Sequence, residues 1–167
     1  MHELTVMAER VALRLIERAE TVAIAESSAG GLVSAALLAA PGASRYFVGG
    51  SVIYTGTARQ QLLGILPADM EGLQPATEPY ASVLARSARL KLGTVWGVGE
   101  TGAAGPAGNR YGDPPGHSCI AVFGPTESRQ TITTGSADRW RNMHDFALAA
   151  LSLLHHCLEM PGADYRS

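Results

Sequence analysis

The sequence predicts an α/β fold of three layers, α/β/α, in which a mixed, mostly parallel sheet carries helices on both faces. Three observations predict it. Short apolar runs of strand length alternate with amphipathic runs of helix length through the first hundred residues or so. Two further strand-like runs then follow one another directly, joined by Gly124-Pro125, which makes that part of the sheet antiparallel. Hydrophobic residues make up 46% of the chain and charged residues 17%, a balance that fills a large core and argues against long disordered segments.

Each element follows from its own pattern. Leu4, Met7, Ala8, Val11, Ala12, Leu15, Ile16 and Ala19 recur at helical spacing, with Glu9, Arg10, Arg14, Glu17 and Arg18 off that stripe, so the chain opens on an amphipathic helix. Residues 21–25, Thr-Val-Ala-Ile-Ala, read as a buried strand, and residues 32–40 as a helix that Pro41-Gly42 ends. Tyr46, Phe47, Val48, Val52, Ile53 and Tyr54 surround Gly49-Gly50, which suits a strand ending at Tyr54 with a bulge or a close backbone approach at the glycines. Thr55 or Thr57 caps a short helix over 58–63, and Gly64 stands at its C-terminal cap. Residues 65–76, with Pro67, Gly72 and Pro75, are expected to form a loop.

Thr77-Glu78-Pro79 starts the next helix, because threonine caps, the acid meets the helix dipole and proline fits the first turn; Gly93 ends it. A buried strand over 94–98 then empties into a glycine-rich loop over 99–116, and strands over 117–123 and 129–133 follow. A long helix runs from about Arg139 to Glu159, and the tail after Pro161 is expected to be loose. There is no internal repeat and no linker, so one domain over 1–167 is the expectation.

The net charge of −2 offers no basic footprint for nucleic acid. No apolar run approaches a membrane span and the N-terminus is an amphipathic charged helix, so no membrane partner and a cytoplasmic location are expected. Cys119 and Cys157 form no C-x-x-C pair and read as buried thiols. His155-His156-Cys157 lacks metal-site spacing, since neighbouring helical residues point different ways, and no metal is expected. The only lysine is Lys91. The remaining basic residues are arginines, which do not accept protons.

Two stretches carry candidate chemistry. Gly97-Val98-Gly99-Glu100-Thr101-Gly102 spells G-x-G-x-x-G, yet no helix begins after it, so the reading it supports is a backbone-rich loop beside a small-molecule pocket, not a dinucleotide site. Glu26-Ser27-Ser28-Ala29-Gly30-Gly31 joins a strand to a helix, where backbone N–H groups favour anions and oxyanions. A serine in such a turn is most often a cap. Tyr54 and Arg59 flank the end of the neighbouring strand, where ligands bind in open α/β sheets.

Ala25-Glu26-Ser27-Ser28-Ala29-Gly30-Gly31 resembles the A-E-S-C-T-G-G motif of the CinA C-terminal domain family, whose enzymatic members are nicotinamide-nucleotide amidohydrolases. The likeness continues in order. Val52-Ile53-Tyr54-Thr55-Gly56-Thr57-Ala58-Arg59-Gln60-Gln61-Leu62-Leu63-Gly64 is similar to V-x-Y-S-N-x-A-K-x-x-L-L-G, Glu100-Thr101-Gly102-Ala103-Ala104-Gly105-Pro106 to V-T-G-I-A-G-P, and Asp138-Arg139-Trp140-Arg141 to the start of G-D-R-x-x-x-R. It covers about 20–160 and implies a stand-alone version of a domain that some members carry behind another.

The resemblance implies hydrolysis of nicotinamide mononucleotide to nicotinic acid mononucleotide and ammonia, without a metal or cofactor, in a homo-oligomer. Ser27 would be the nucleophile, the turn amides would hold the oxyanion, and Tyr54 with a lysine would move protons; a lysine does this by losing its proton when partly desolvated. Here that lysine is Arg59, which makes Ser27, Tyr54 and Arg59 the implied catalytic set. Glu26, Ser28, Gly30, Gly31, Thr101, Gly102, Gly105 and Arg141 are the implied substrate contacts. Ser28-Ala29 replaces the motif's C-T pair, and Ala76-Thr77-Glu78-Pro79 replaces a V-S-E-E helix start. Three readings stay open: this amidohydrolase with Tyr54 or a water held by Glu26 making good the missing lysine, a nucleotide-binding module without turnover, and a related hydrolase whose substrate is chosen by Asn109-Arg110-Tyr111-Gly112-Asp113.

Overall fold

The computed structural model describes residues 2–160. The tail after Pro161 lies outside the described residues. In chain order the elements are α1 (His2–Arg18), β1 (Val22–Glu26), α2 (Leu32–Ala39), β2 (Phe47–Val52), α3 (Gly56–Leu63), α4 (Glu78–Leu92), β3 (Trp96–Ala103), β4 (His117–Phe123), β5 (Ser128–Thr133) and α5 (Arg139–Glu159). The five strands form one sheet in the order β2-β1-β3-β4-β5. β1 pairs parallel with both β2 and β3, whereas β4 runs antiparallel to β3 and to β5. The sheet is therefore mixed, with four strands pointing one way and β4 the other.

Side-chain alternation sorts the two faces. Val22 and Ile24 of β1, Trp96 and Val98 of β3, and Ile120 and Val122 of β4 turn toward one core with α1, α2 and α5. Ala23 and Ala25 turn the other way, toward Tyr80, Leu84 and Ala88 of α4. On that side the strands offer small residues, so the helix sits close. A Cβ on Gly97 would lie 2.0 Å from the Ala85 carbonyl oxygen, and one on Gly99 2.1 Å from that of Ala81. Cys119 and Cys157 are free and buried, and burial pushes both thiols up, which leaves them inert.

The structure corrects the sequence reading at several places. The strand expected over 94–98 begins at Trp96 and runs to Ala103, so Gly99 to Ala103 are strand and not loop. Pairing decides this, because β4 runs along the whole stretch, Gly97 facing Phe123 and Ala103 facing His117, while β1 pairs with the other edge only as far as Gly99. β2 ends at Val52, two residues short of Tyr54. Its bulge falls at Val48, which is skipped where Val22 pairs with Phe47 and Ala23 with Gly49; the close approach is at Gly50, where a Cβ would meet Ser34 Oγ at 2.1 Å.

Short 3-10 turns occupy Ala43–Arg45 and Pro67–Met70, the second inside the expected loop, with Asp69 accepting from the Leu66 N–H at 2.7 Å. Thr55, not Thr57, caps α3, accepting from the Ala58 N–H at 3.1 Å. Thr77 holds the N-cap position of α4, but its hydroxyl donates to the Gln74 carbonyl at 2.6 Å instead of capping.

Candidate functional site

The chain leaves β1 toward β2 on one side and returns to β3 on the other, so the carboxyl ends of these three parallel strands surround a crevice of the kind where α/β sheets hold ligands. A cavity of about 540 Å³ opens there. Ser27 from the β1–α2 turn, Tyr54 and Arg59 from the segment after β2, Thr101 and Gly102 from β3, Tyr80 from α4, and Arg110 and Tyr111 from the loop after β3 all line it. Tyr54 and Gly102 also line an adjoining space of about 180 Å³ with Ser28, Gly105, Asn109 and Arg139.

The turn is held from below by two buried carboxylates. Glu26 ends β1, is fully buried, and caps α2: it accepts from the N–H groups of Val33 at 3.1 Å and Ser34 at 3.0 Å, and from the Ser34 hydroxyl at 2.7 Å. Glu100 reaches the turn from β3, on the same face as Trp96 and Val98. It accepts from the N–H groups of Ser27 at 3.0 Å and Ala29 at 2.8 Å, from the Ser118 hydroxyl at 2.8 Å, and from the Ser28 hydroxyl. Burial pushes Glu100 above its ordinary range, and the donors from Ser28, Ala29, Ser118 and Ser27 oppose that rise without cancelling it.

The turn amides are therefore largely engaged. Gly30 N–H bonds the Ser27 carbonyl at 3.1 Å, so an oxyanion finds the Ser27, Ala29 and Gly30 donors already occupied by the protein.

The opposite wall is cationic. Arg59 donates through Nη1 to the Tyr80 hydroxyl and lies 5.6 Å over the Tyr80 ring, while its Nε, buried, has no acceptor among the described residues. Arg110 donates to the Tyr111 hydroxyl at 2.8 Å and sits 5.0 Å over that ring.

Of the residues singled out in the sequence, the cavity brings together Ser27, Tyr54, Arg59, Thr101 and Gly102, and the adjoining space adds Ser28 and Gly105. Glu26 turns inward to α2. Gly30 packs against Met143, and Gly31 is the α2 N-cap at φ 98°; neither lines either space. Arg141 points away, pairing with Asp145 at 3.8 Å on the exposed side of α5. Arg139, two residues earlier, lines the adjoining space instead and donates to the Gly105 carbonyl. Sequence reasoning also missed Glu100, Ser118 and Tyr80. For Glu100 a signal existed, since an acid two residues beyond Val98 in a buried strand falls on the core face and needs partners.

The CinA C-terminal domain model matches residues 4–158. The chain belongs to the CinA C-terminal domain family. A CinA-like protein of Anaeromyxobacter sp. (strain K) is 40% identical over 151 residues, 90% of this chain and 37% of that protein. One from Prochlorococcus marinus (strain MIT 9313) is 41% identical over 111 residues, 66% of this chain and 26% of that protein. The chain thus matches between about a quarter and little more than a third of the length of these curated relatives.

The fold is that of the CinA superfamily protein KP700603 from Klebsiella pneumoniae 700603, with a TM-score of 0.86 at 23% identity over 93% of this chain and 97% of that one. A competence/damage inducible protein from Agrobacterium tumefaciens also gives 0.86, at 24% identity over 95% and 96%. Against the family motifs quoted above, Ser28 stands at a cysteine and Glu100 at a valine, and these two side chains are bonded to each other. Among the described residues no group of three or more His, Cys, Asp or Glu side chains could hold a metal ion, and no helix is long and apolar enough to cross a membrane.

Proposed function

We propose that this chain hydrolyses the carboxamide of a pyridine mononucleotide, nicotinamide mononucleotide by the family resemblance, releasing ammonia and the ring carboxylate. One observation carries the reading: Ser27, Tyr54, Arg59 and Thr101, drawn from three separate motifs, line a single cavity of about 540 Å³ at the strand ends. That volume is in the range of small-molecule sites. The Ser27 hydroxyl attacks the carboxamide carbon, its proton passes through Tyr54 or a bound water to the departing nitrogen, and water then cleaves the ester to return the serine. No metal, cofactor, nucleic acid or membrane enters this reading, and a cytoplasmic homo-oligomer is the form the family implies.

A second reading, ligand binding without turnover, is favoured by two specific features. Arg59 offers a fork of donors where a proton acceptor is required, and Glu100 occupies the Ser27 and Ala29 amides that an oxyanion needs. In a third, Arg110 and Tyr111 select a different amide.

Ammonia release from nicotinamide mononucleotide separates them. Turnover by the wild type that falls at least about a hundredfold in Ser27→Ala supports hydrolysis. Activity appearing only in Arg59→Lys identifies the binding reading, and silence from both proteins across a panel of nucleotide amides removes the hydrolase reading.

A further inference from the structure

A serine that attacks an amide must hand its proton to an acceptor, and an arginine does not take one. The residues lining the larger cavity and the adjoining space include no aspartate, glutamate, histidine or lysine. An acceptor must therefore act through the wall. Of the hydroxyl groups on residues that line the two spaces, those of Thr55, Tyr80, Thr101 and Tyr111 each accept from an N–H donor. Ser28 does the reverse: it forms part of the wall of the adjoining space, and its hydroxyl donates to the carboxylate of Glu100 behind it.

The two oxygens of Glu100 are bonded differently. Oε2 accepts from two backbone N–H groups, those of Ser27 at 3.0 Å and Ala29 at 2.8 Å. Oε1 accepts from two hydroxyls, that of Ser28 and, at 2.8 Å, that of Ser118. Hydroxyl hydrogens rotate to suit their partners and amide hydrogens do not. A proton arriving on Oε1 leaves both amide bonds in place and lets Ser28 accept where it had donated. The Ser118 hydroxyl then keeps a second acceptor in the Thr101 carbonyl at 3.4 Å. Both charge states of Glu100 are thus accommodated without stranding a donor.

Its surroundings favour taking a proton. Glu100 is fully buried, and burial pushes its carboxyl up toward the range where a proton acceptor works best near neutral pH. Among the described residues no cation pairs with it. On β1, Glu26 follows Ala25, the partner of Gly99, so a second acid stands beside Glu100 on the neighbouring strand. α2 carries no charged residue, and β4 presents Ser118 and Ile120 on this face. On α5, Arg139 donates to the Gly105 carbonyl and His144 lies 3.6 Å from Asp145. Set against the family motifs, this chain has an arginine where the motif has its base, and a carboxylate where the motif has a valine.

We propose that Glu100 is the proton acceptor of this site and acts through the Ser28 hydroxyl. The inference rests on the reading that Ser27 is acylated, and it names the group that takes the proton. As the bond from Ser27 Oγ to the carboxamide carbon forms, the Ser27 proton passes to Ser28 Oγ, directly or across one water, and the Ser28 proton passes to Glu100 Oε1. Negative charge leaves Glu100 as it appears on the carbonyl oxygen. When the C–N bond breaks, Glu100 returns its proton to Ser28 and the nitrogen takes one from Ser28, leaving as ammonia. Water then cleaves the ester by the same exchange, its proton going out through Ser28 to Glu100 and back to Ser27 Oγ.

The rate at which a fluorophosphonate labels Ser27, with the site located by mass spectrometry, tests this between about pH 5 and about pH 9. In the wild type the rate should rise as Glu100 ionises and then level off. Ser28→Ala, which leaves Glu100 and its two amide bonds in place, should label at least about tenfold more slowly at neutral pH and lose the plateau. Ser28→Thr, which restores a hydroxyl, should regain it, and Glu100→Gln should behave as Ser28→Ala does. A role in turn stability alone would lower the rate without moving its pH dependence.

A plateau that persists in Ser28→Ala overturns the proposal. So does an equal rate in wild type and Ser28→Ala, a label on Ser28 instead of Ser27, or no labelling of the turn. If Glu100→Gln fails to fold, Ser28→Ala decides alone. Ammonia release from nicotinamide mononucleotide is measured beside the labelling. Turnover that ignores both Ser28 and Glu100 removes the relay and keeps the hydrolase, whereas labelling that follows them without ammonia release keeps the relay and removes the amide substrate.

Discussion

The two walls of the cavity are built on opposite principles. On the serine side, Glu26 and Glu100 are buried and surrounded by donors, with Val33 and Ser34 on the first and Ser27, Ser28, Ala29 and Ser118 on the second. On the arginine side, Arg59 and Arg110 each bond a tyrosine, and among the described residues neither is in an ion pair and no aspartate or glutamate lines the cavity with them. The difference separates structure from recognition: polar groups that satisfy one another inside the fold hold the backbone in place, and charges the fold leaves uncompensated at a concave surface are what a ligand meets. The serine wall should therefore respond to mutation in stability, and the arginine wall in binding.

The largest effect should come from Glu26→Ala. It removes the acceptor for three donors at the start of α2 and leaves them buried, at a cost of about 3 kcal/mol. Urea unfolding measures it, and a loss below about 0.5 kcal/mol, as for an ordinary surface change, would make Glu26 a ligand group and not a cap. Glu100 should show a pH signature. Its carboxyl is raised from 4.5 by burial, so its share of stability is fully present below pH 4.5 and is lost as pH climbs through the folded-state value. The stability of the wild type relative to Glu100→Gln should therefore fall as pH rises from 4.5 to neutrality. A difference that stays flat with pH, or grows, would mean the donors around Glu100 outweigh burial.

The smallest stability effect belongs to the arginine wall, where Arg59→Ala should change the unfolding free energy by less than about 1 kcal/mol, the worth of one partly exposed cation–π contact. Its effect should appear in ligand affinity instead. Arg141→Ala, whose side chain faces solvent beside Asp145, should alter neither, and a loss of affinity there would bring that face of α5 into the site.

Much of the fold was legible. Run length and periodicity located all five helices and four of the five strands to within two or three residues, because the helices carry apolar stripes and the strands are short apolar or alternating runs bounded by turn residues. β3 was legible only in its first half. Its second half, Gly99 to Ala103, is glycine and alanine interrupted by Glu100 and Thr101, a composition with no period that reads as loop until β4 is seen to pair with it along its length. Motif resemblance named Ser27, Tyr54, Arg59 and Thr101, which line the cavity, and Arg141, which does not, whereas Arg139 lines the adjoining space. The difference turns on helix phase, which Asp138 sets by accepting from the Arg141 N–H at 3.1 Å and which leaves Arg139 pointing back to the Gly105 carbonyl.

By itself the sequence determined the alternation of strands and helices, the small-residue turn between β1 and α2, and the arginine five residues after Tyr54. These are local properties, fixed by side-chain pattern and backbone freedom within a few residues. Only the tertiary structure decided that Glu100, seventy-two residues beyond Ser28, closes the turn from beneath, and that no carboxylate among the described residues lines the cavity with Arg59 and Arg110. Hydrogen bonds and ion pairs form over a few ångströms, and which groups come that close is set by how sheet and helices pack, not by their order in the chain.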